Sequence, residues 1–84
     1  MKFRYTKHAV YKFLKLQQSG FHITRLKIQN TIKSPLKLET RIDNNLIATS
    51  LIDDLHVLRV VYRTEDDIIV IITFYPGRRK AYEI

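Results

Sequence analysis

Between Leu55 and Tyr75 the chain carries two runs rich in β-branched and aromatic residues, separated by the acidic stretch Thr64-Glu65-Asp66-Asp67. This pattern predicts an antiparallel hairpin of strands 55–63 and 68–75. Side chains alternate across a strand, so Val57, Arg59, Val61 and Arg63 share one face of the first run, and His56, Leu58, Val60 and Tyr62 share the other. The second run is apolar at every position from Ile68 to Ile72, which predicts a strand inside the sheet, covered on both faces. Pro76 cannot donate to a ladder and Gly77 loosens the backbone, so the strand is expected to end there and hand the chain to Arg78, Arg79, Lys80 and Tyr82.

The remaining elements follow the same periodicities. Lys2 to Tyr5 alternates as a short strand. Thr6 is placed as an N-cap, and a helix is predicted from Lys7 to about Ser19, stopped by Gly20. Ala9, Val10, Phe13, Leu14 and Leu16 fall on one broad face of that helix, with His8, Lys12 and Lys15 opposite as a cationic stripe. A second helix is predicted to start at the N-cap Thr24, to bury Ile28 and Ile32, and to end at Lys33-Ser34 before Pro35. Alternation over 36–42 and 46–52, with turn residues at Asp43-Asn44-Asn45 and Asp53-Asp54, adds two strands. The expected order is therefore β-α-α-β-β-β-β in a single domain, 1–84. Its fold class is α+β: two N-terminal helices on one face of a four- to five-stranded, mainly antiparallel sheet.

Charge changes the picture. The net charge is +7, and residues 1–37 hold nine Lys or Arg with no Asp or Glu, against six basic and eight acidic residues in 38–84. A half-molecule of uncompensated positive charge favours a polyanion, most often nucleic acid. Apolar residues make up 45%, too many for a disordered tail, and the absence of cysteine excludes a disulfide framework or a thiolate metal site. The longest apolar run is too short to span a bilayer, and no apolar core of a signal peptide follows Lys2, Arg4 and Lys7, so a cytoplasmic protein without membrane contact is expected.

Candidate chemistry narrows by elimination. His8, His22 and His56 show no metal-ligand spacing, the acids sit in turns, and two glycines make no phosphate loop, so neither a metal nor a cofactor is expected. Arg, Lys, His and Tyr remain, the residue types that can hold or cleave RNA without metal. Cleavage takes a base for the 2′-hydroxyl proton, cations for the charge growing on phosphate oxygens and an acid for the leaving 5′-oxygen. His8, beside Lys12 and Lys15, is one candidate base. Each candidate also has a plain structural alternative. His8 is either functional or bound to backbone and water; Arg59 is either a phosphate ligand or the ion-pair partner of a turn acid. His56 reads as a core or edge histidine, Arg78 to Lys80 as a solvated tail, and Tyr82 as C-terminal packing.

The segment Leu58-Arg59-Val60-Val61-Tyr62-Arg63, the acidic turn, Ile69 to Thr73, and then Arg78 with Tyr82 resemble the C-terminal half of RelE/ParE-like toxins. Lys7-His8-Ala9, Ile23-Thr24, Pro35 and Ile72-Thr73-Phe74-Tyr75-Pro76 are similar, more narrowly, to a small uncharacterised RelE-like domain family. The resemblance covers most of the chain and implies a RelE-like fold. It implies metal-independent RNA cleavage by the toxin of a type II toxin–antitoxin pair, on the ribosome or on free RNA, and neutralisation by an acidic antitoxin. By position it gives Arg59 and Arg78 the scissile phosphate and Tyr82 a part in catalysis or base stacking. Lys27 and Lys33 are the candidates for the family's helix-borne lysines, and His8 lies outside its usual constellation. Lys7, Lys12, Lys15, Arg63, Arg79 and Lys80 are expected to steer the nucleic-acid backbone. A non-catalytic RNA- or protein-binding module on the same fold is the alternative.

Overall fold

The computed structural model describes residues 2–84. Its elements are β1 (Lys2–Tyr5), α1 (Lys7–Gln18), α2 (Arg25–Lys33), β2 (Lys37–Thr40), β3 (Leu46–Leu51), β4 (His56–Glu65) and β5 (Ile68–Arg78), closed by a single 3₁₀ turn, Arg79–Tyr82. The architecture is α+β, with two helices and one mixed five-stranded sheet ordered β1-β5-β4-β3-β2. Strands β2 to β5 form an antiparallel meander, and β1 adds to β5 in parallel, Lys2 opposite Ile68 and Tyr5 opposite Ile71. Ile68 to Ile71 are thus flanked by a strand on each side, as their unbroken apolar run requires. No helix among the described residues is long and apolar enough to cross a membrane.

Local signals set the helix ends. The Thr6 hydroxyl accepts the Ala9 N–H (3.1 Å) and donates to the Ile72 carbonyl (2.8 Å), so one side chain caps α1 and anchors it to β5. Thr24 caps α2 through the Lys27 N–H at 3.0 Å. At the other end of α1, Gly20 takes φ +93°, the Gly20 N–H reaches the Gln17 carbonyl and the Phe21 N–H reaches the Leu16 carbonyl. That pair of bonds is a Schellman stop, and it fixes where Phe21 goes.

The core lies between the helices and the face of the sheet carrying Leu58, Val60, Ile69, Ile71 and Phe74, against Ala9, Leu16, Ile23 and Ile28. Phe13 meets Phe74 with ring centroids 4.7 Å apart, and the Arg25 guanidinium of α2 lies 4.5 Å from the Tyr5 ring centroid. Alternation alone would put Phe74 on the face opposite Ile69 and Ile71. A bulge opposite Val61 and Tyr62 inserts Ile72 as an extra residue, and the parity flips, so all three reach the core.

Two expectations are corrected. β5 runs on through Pro76 and Gly77 to Arg78; β1 has ended by then, so the missing Pro76 N–H falls on an open edge and costs no ladder bond. On α1 only Ala9, Phe13 and Leu16 turn inward, spaced i, i+4 and i+7, while Val10 and Leu14 are exposed beside Tyr11. On α2 the expected edge holds, with Ile28 buried and Ile32 packed against the core, and Thr31 joins it: its hydroxyl donates to the Lys27 carbonyl and accepts from Ser50 at 2.6 Å, which satisfies a polar pair inside the core.

Candidate functional site

The sheet separates the candidate residues. Arg59 lies on the face away from the helices, since it pairs with Thr49 and Tyr75 and alternates with core-facing Leu58 and Val60. It is only 7% exposed. Its Nε donates to the Tyr75 hydroxyl at 3.1 Å, its Nη1 lies 3.0 Å from Glu39 Oε2, and its guanidinium carbon sits 4.2 Å from the Tyr82 ring centroid. The Nη1–Oε2 approach is an ion contact without hydrogen-bond alignment. Burial alone would lower the pKa of the guanidinium; the Tyr75 hydrogen bond and the Glu39 charge outweigh it and hold the group more firmly charged than usual. The ion-pair alternative for Arg59 is thus the one realised, with a strand acid rather than a turn acid.

Tyr82 completes this cluster from the far side. The 3₁₀ turn folds its ring over Gly77, where a Cβ would stand 2.5 Å from Tyr82 Cε2. Gly77→Ala should therefore push the ring off Arg59 and lower stability by about 1–3 kcal/mol. Urea unfolding gives the energy, and the Tyr82 ring proton shifts give the displacement. Unmoved shifts would show that the ring is not seated there.

Arg78 lies on the opposite face, paired with His56 at the end of the β4–β5 ladder. Here β3, β4, β5 and the stop of α1 converge on a histidine that the sequence reading left as core or edge. The Asp53 carboxylate accepts the backbone N–H groups of Leu55 and His56, each at 2.8 Å, and takes His56 Nδ1 at 2.9 Å. The Leu55 N–H, followed by the His56 contacts, keeps Asp53 ionised below the ordinary carboxylate range. With Nδ1–H donating to a carboxylate, Nε2 is the acceptor of the neutral ring, and it has no partner among the described residues. The Phe21 ring packs edge-on against the imidazole, centroids 5.2 Å apart, where the Schellman stop delivers it.

Two cavities share His56 and Arg78. One of about 570 Å³ is lined by Asp54, Leu55, His56, Arg78, Arg79, Lys80 and Ile84. Phe21, Pro76 and Gly77 join the same pair around the other, of about 230 Å³. Arg79 is a wall rather than a ligand: its Nε donates to the Ile84 main-chain oxygen at 2.6 Å and its Nη1 to the Asp54 carbonyl at 3.4 Å. Arg78 and Lys80 are exposed and make no hydrogen bond or ion pair among the described residues.

The other candidates lie apart. His8 is exposed in the first turn of α1, and Thr6 anchors that turn at Ile72, six residues and roughly 20 Å along β5 from Arg78. Lys7 and Lys15 are exposed on α1 and Lys12 is half-buried; Lys7 stands at the end anchored to Ile72, and Lys15 in the last turn before the stop that delivers Phe21 to His56. Arg63 is held by Glu65, which also meets Arg4 at 3.6 Å. Lys27 donates from Nζ to the Leu51 carbonyl, near the rim, whereas Lys33 is exposed at the other end of α2.

The structure thus brings Arg59 and Tyr82 together, sets Arg78 beside His56 instead, and leaves His8 alone. The missed features are Asp53, His56 and Phe21. Their signal was the Asp-Asp-Leu-His turn, in which an Asp accepts the N–H groups two and three residues on and meets the histidine side chain. Comparison with family models, with curated proteins and with solved structures finds no match to this chain.

Proposed function

We propose that this chain is a metal-independent RNA endonuclease, the toxin of a type II toxin–antitoxin pair on a RelE-like fold, and that its reaction centre is the rim around His56. The observation that carries the reading is the Asp53–His56 pair opening onto a cavity lined by Arg78, Arg79 and Lys80. His56 Nε2 takes the 2′-hydroxyl proton, the 2′-oxygen attacks phosphorus, and the bond to the 5′-oxygen breaks, leaving a 2′,3′-cyclic phosphate. Arg78 neutralises charge on the non-bridging oxygens through its donor fork, and Lys80 or water protonates the leaving oxygen. The α1 lysines Lys7, Lys12 and Lys15 lie on the helix-bearing side and supply longer-range attraction for the strand.

A second reading, a non-catalytic module that binds RNA or protein, draws on Arg59. Its guanidinium is committed to Glu39, Tyr75 and Tyr82, and the constellation implied by the resemblance does not converge. One assay separates the two. Single-stranded RNA incubated with the protein and a chelator should yield 2′,3′-cyclic ends, while the all-deoxy strand stays intact. Binding should weaken with salt by a slope of roughly −0.7 per phosphate contact. RNA that binds but stays whole, also on translating ribosomes, would leave the module; RNA that neither binds nor breaks would reject the nuclease and leave only a protein-binding module.

A further inference from the structure

The outer edge of the sheet at β2 carries exposed apolar side chains and an unusual charge order. Leu36 is 59% exposed and Leu38 54%, and Ile42 in the following turn is fully exposed. Among the described residues β2 pairs only with β3, which leaves its other side open. Hydrogen bonding alternates along an antiparallel strand. The Arg41 N–H bonds the Asn45 carbonyl at 2.7 Å, so odd residues face β3, and the N–H and C=O groups of Leu38 and Thr40 face outward.

We infer that this edge pairs with the same edge of a second copy, antiparallel about a two-fold axis at Leu38, joining two five-stranded sheets into one of ten strands. The sequence Lys37-Leu38-Glu39 selects that register. The outward groups belong to Leu38 and Thr40, because the Leu36 N–H turns inward to the Thr49 carbonyl at 2.8 Å, so the axis passes through residue 38, 39 or 40. An axis at 39 sets Glu39 against Glu39, and one at 40 leaves Lys37 without a partner in the strand and carries the pairing beyond the end of β2 into the turn. Only the axis at 38 sets each Lys37 against Glu39 of the second copy, in the closer non-hydrogen-bonded positions, while the two Leu38 residues exchange their backbone bonds. Edge strands usually carry charge to repel such pairing. Here one charge of each sign, two residues apart, makes the edge complementary to itself: Lys37 and Glu39 Oε1 already meet at 3.5 Å within one copy, the second copy sets another such pair against it, and Glu39 keeps Arg59 through Oε2. Leu36 and Leu38 lose water on one face of the joint, and every contact occurs twice, as an isologous interface requires.

The joint is short, so association should be weak, as for other small interfaces, and visible only at high protein concentration. Sedimentation equilibrium up to such concentrations should show a monomer–dimer equilibrium, with amide exchange at Leu38 and Thr40 slowing as concentration rises. Leu38→Arg and Lys37→Glu act at exposed positions and should each weaken association about tenfold while leaving circular dichroism unchanged. A monomer throughout the range, a dimer insensitive to both substitutions, or a dimer whose Leu38 amide exchanges as fast as in the monomer would overturn the pairing.

Discussion

Replacing Phe74 by alanine should cost about 3–5 kcal/mol of folding stability. Phe74 is the largest fully buried side chain, and it stands where β5 meets α1 through Phe13. A chain of 84 residues holds a total of roughly 4–13 kcal/mol, at about 0.05–0.15 kcal/mol per residue, so this one substitution removes a large share of it. The cavity cannot collapse easily, because Phe74 is held by the bulge at Ile72, whose carbonyl is tied to the Thr6 cap. Urea unfolding should show the midpoint falling by about 1–5 M at an unchanged slope of about 1–3 kcal/mol/M. A loss below about 1 kcal/mol would mean that the helices do not depend on this contact.

The second large effect belongs to the proposed reaction. His56→Gln keeps the size and polarity of the side chain but removes a base, and should lower the cleavage rate by about 10²–10⁴. Affinity for RNA should stay within a factor of about two, because the phosphate is held by Arg78 and Lys80 and rim charges such as these set most backbone binding. Asp53→Asn sharpens the test. The Asn oxygen still accepts the Leu55 and His56 N–H groups, so the turn survives, while its NH₂ faces Nδ1 and favours the tautomer with the proton on Nε2. Cleavage should fall with binding and fold intact. Full activity in both variants would remove His56 from the chemistry and return attention to Tyr82 and His8. Loss of binding in step with cleavage would instead make His56 a ligand for the backbone.

Much of the architecture was legible. The β4–β5 hairpin, the caps Thr6 and Thr24 and the Gly20 stop all rest on interactions within a few residues, and short-range periodicity reports those directly. The site was legible only in part. Arg78 was marked by its basic cluster, but the Asp53–His56 pair was hidden because His56 shares a strand face with Leu58 and Val60, and alternation there reads as core. For Arg59 the sequence left phosphate ligand and ion-pair partner of a turn acid both open, since nothing near it in sequence announces its partner. Glu39 lies twenty residues earlier, two strands away across the sheet.

The amino-acid sequence by itself determined which segments are helix and strand, where the two helices stop, and that the positive charge gathers in the N-terminal half, because each depends on local backbone preference and on composition. Tertiary structure alone decided that β1 joins β5 in parallel, that Ile72 bulges so that Phe74 enters the core, that Glu39 and Tyr82 enclose Arg59, and that His56 rather than His8 stands beside Arg78. The reason is physical. A strand's edges and faces are satisfied by whatever the fold brings against them, and no local pattern encodes a neighbour drawn from another part of the chain.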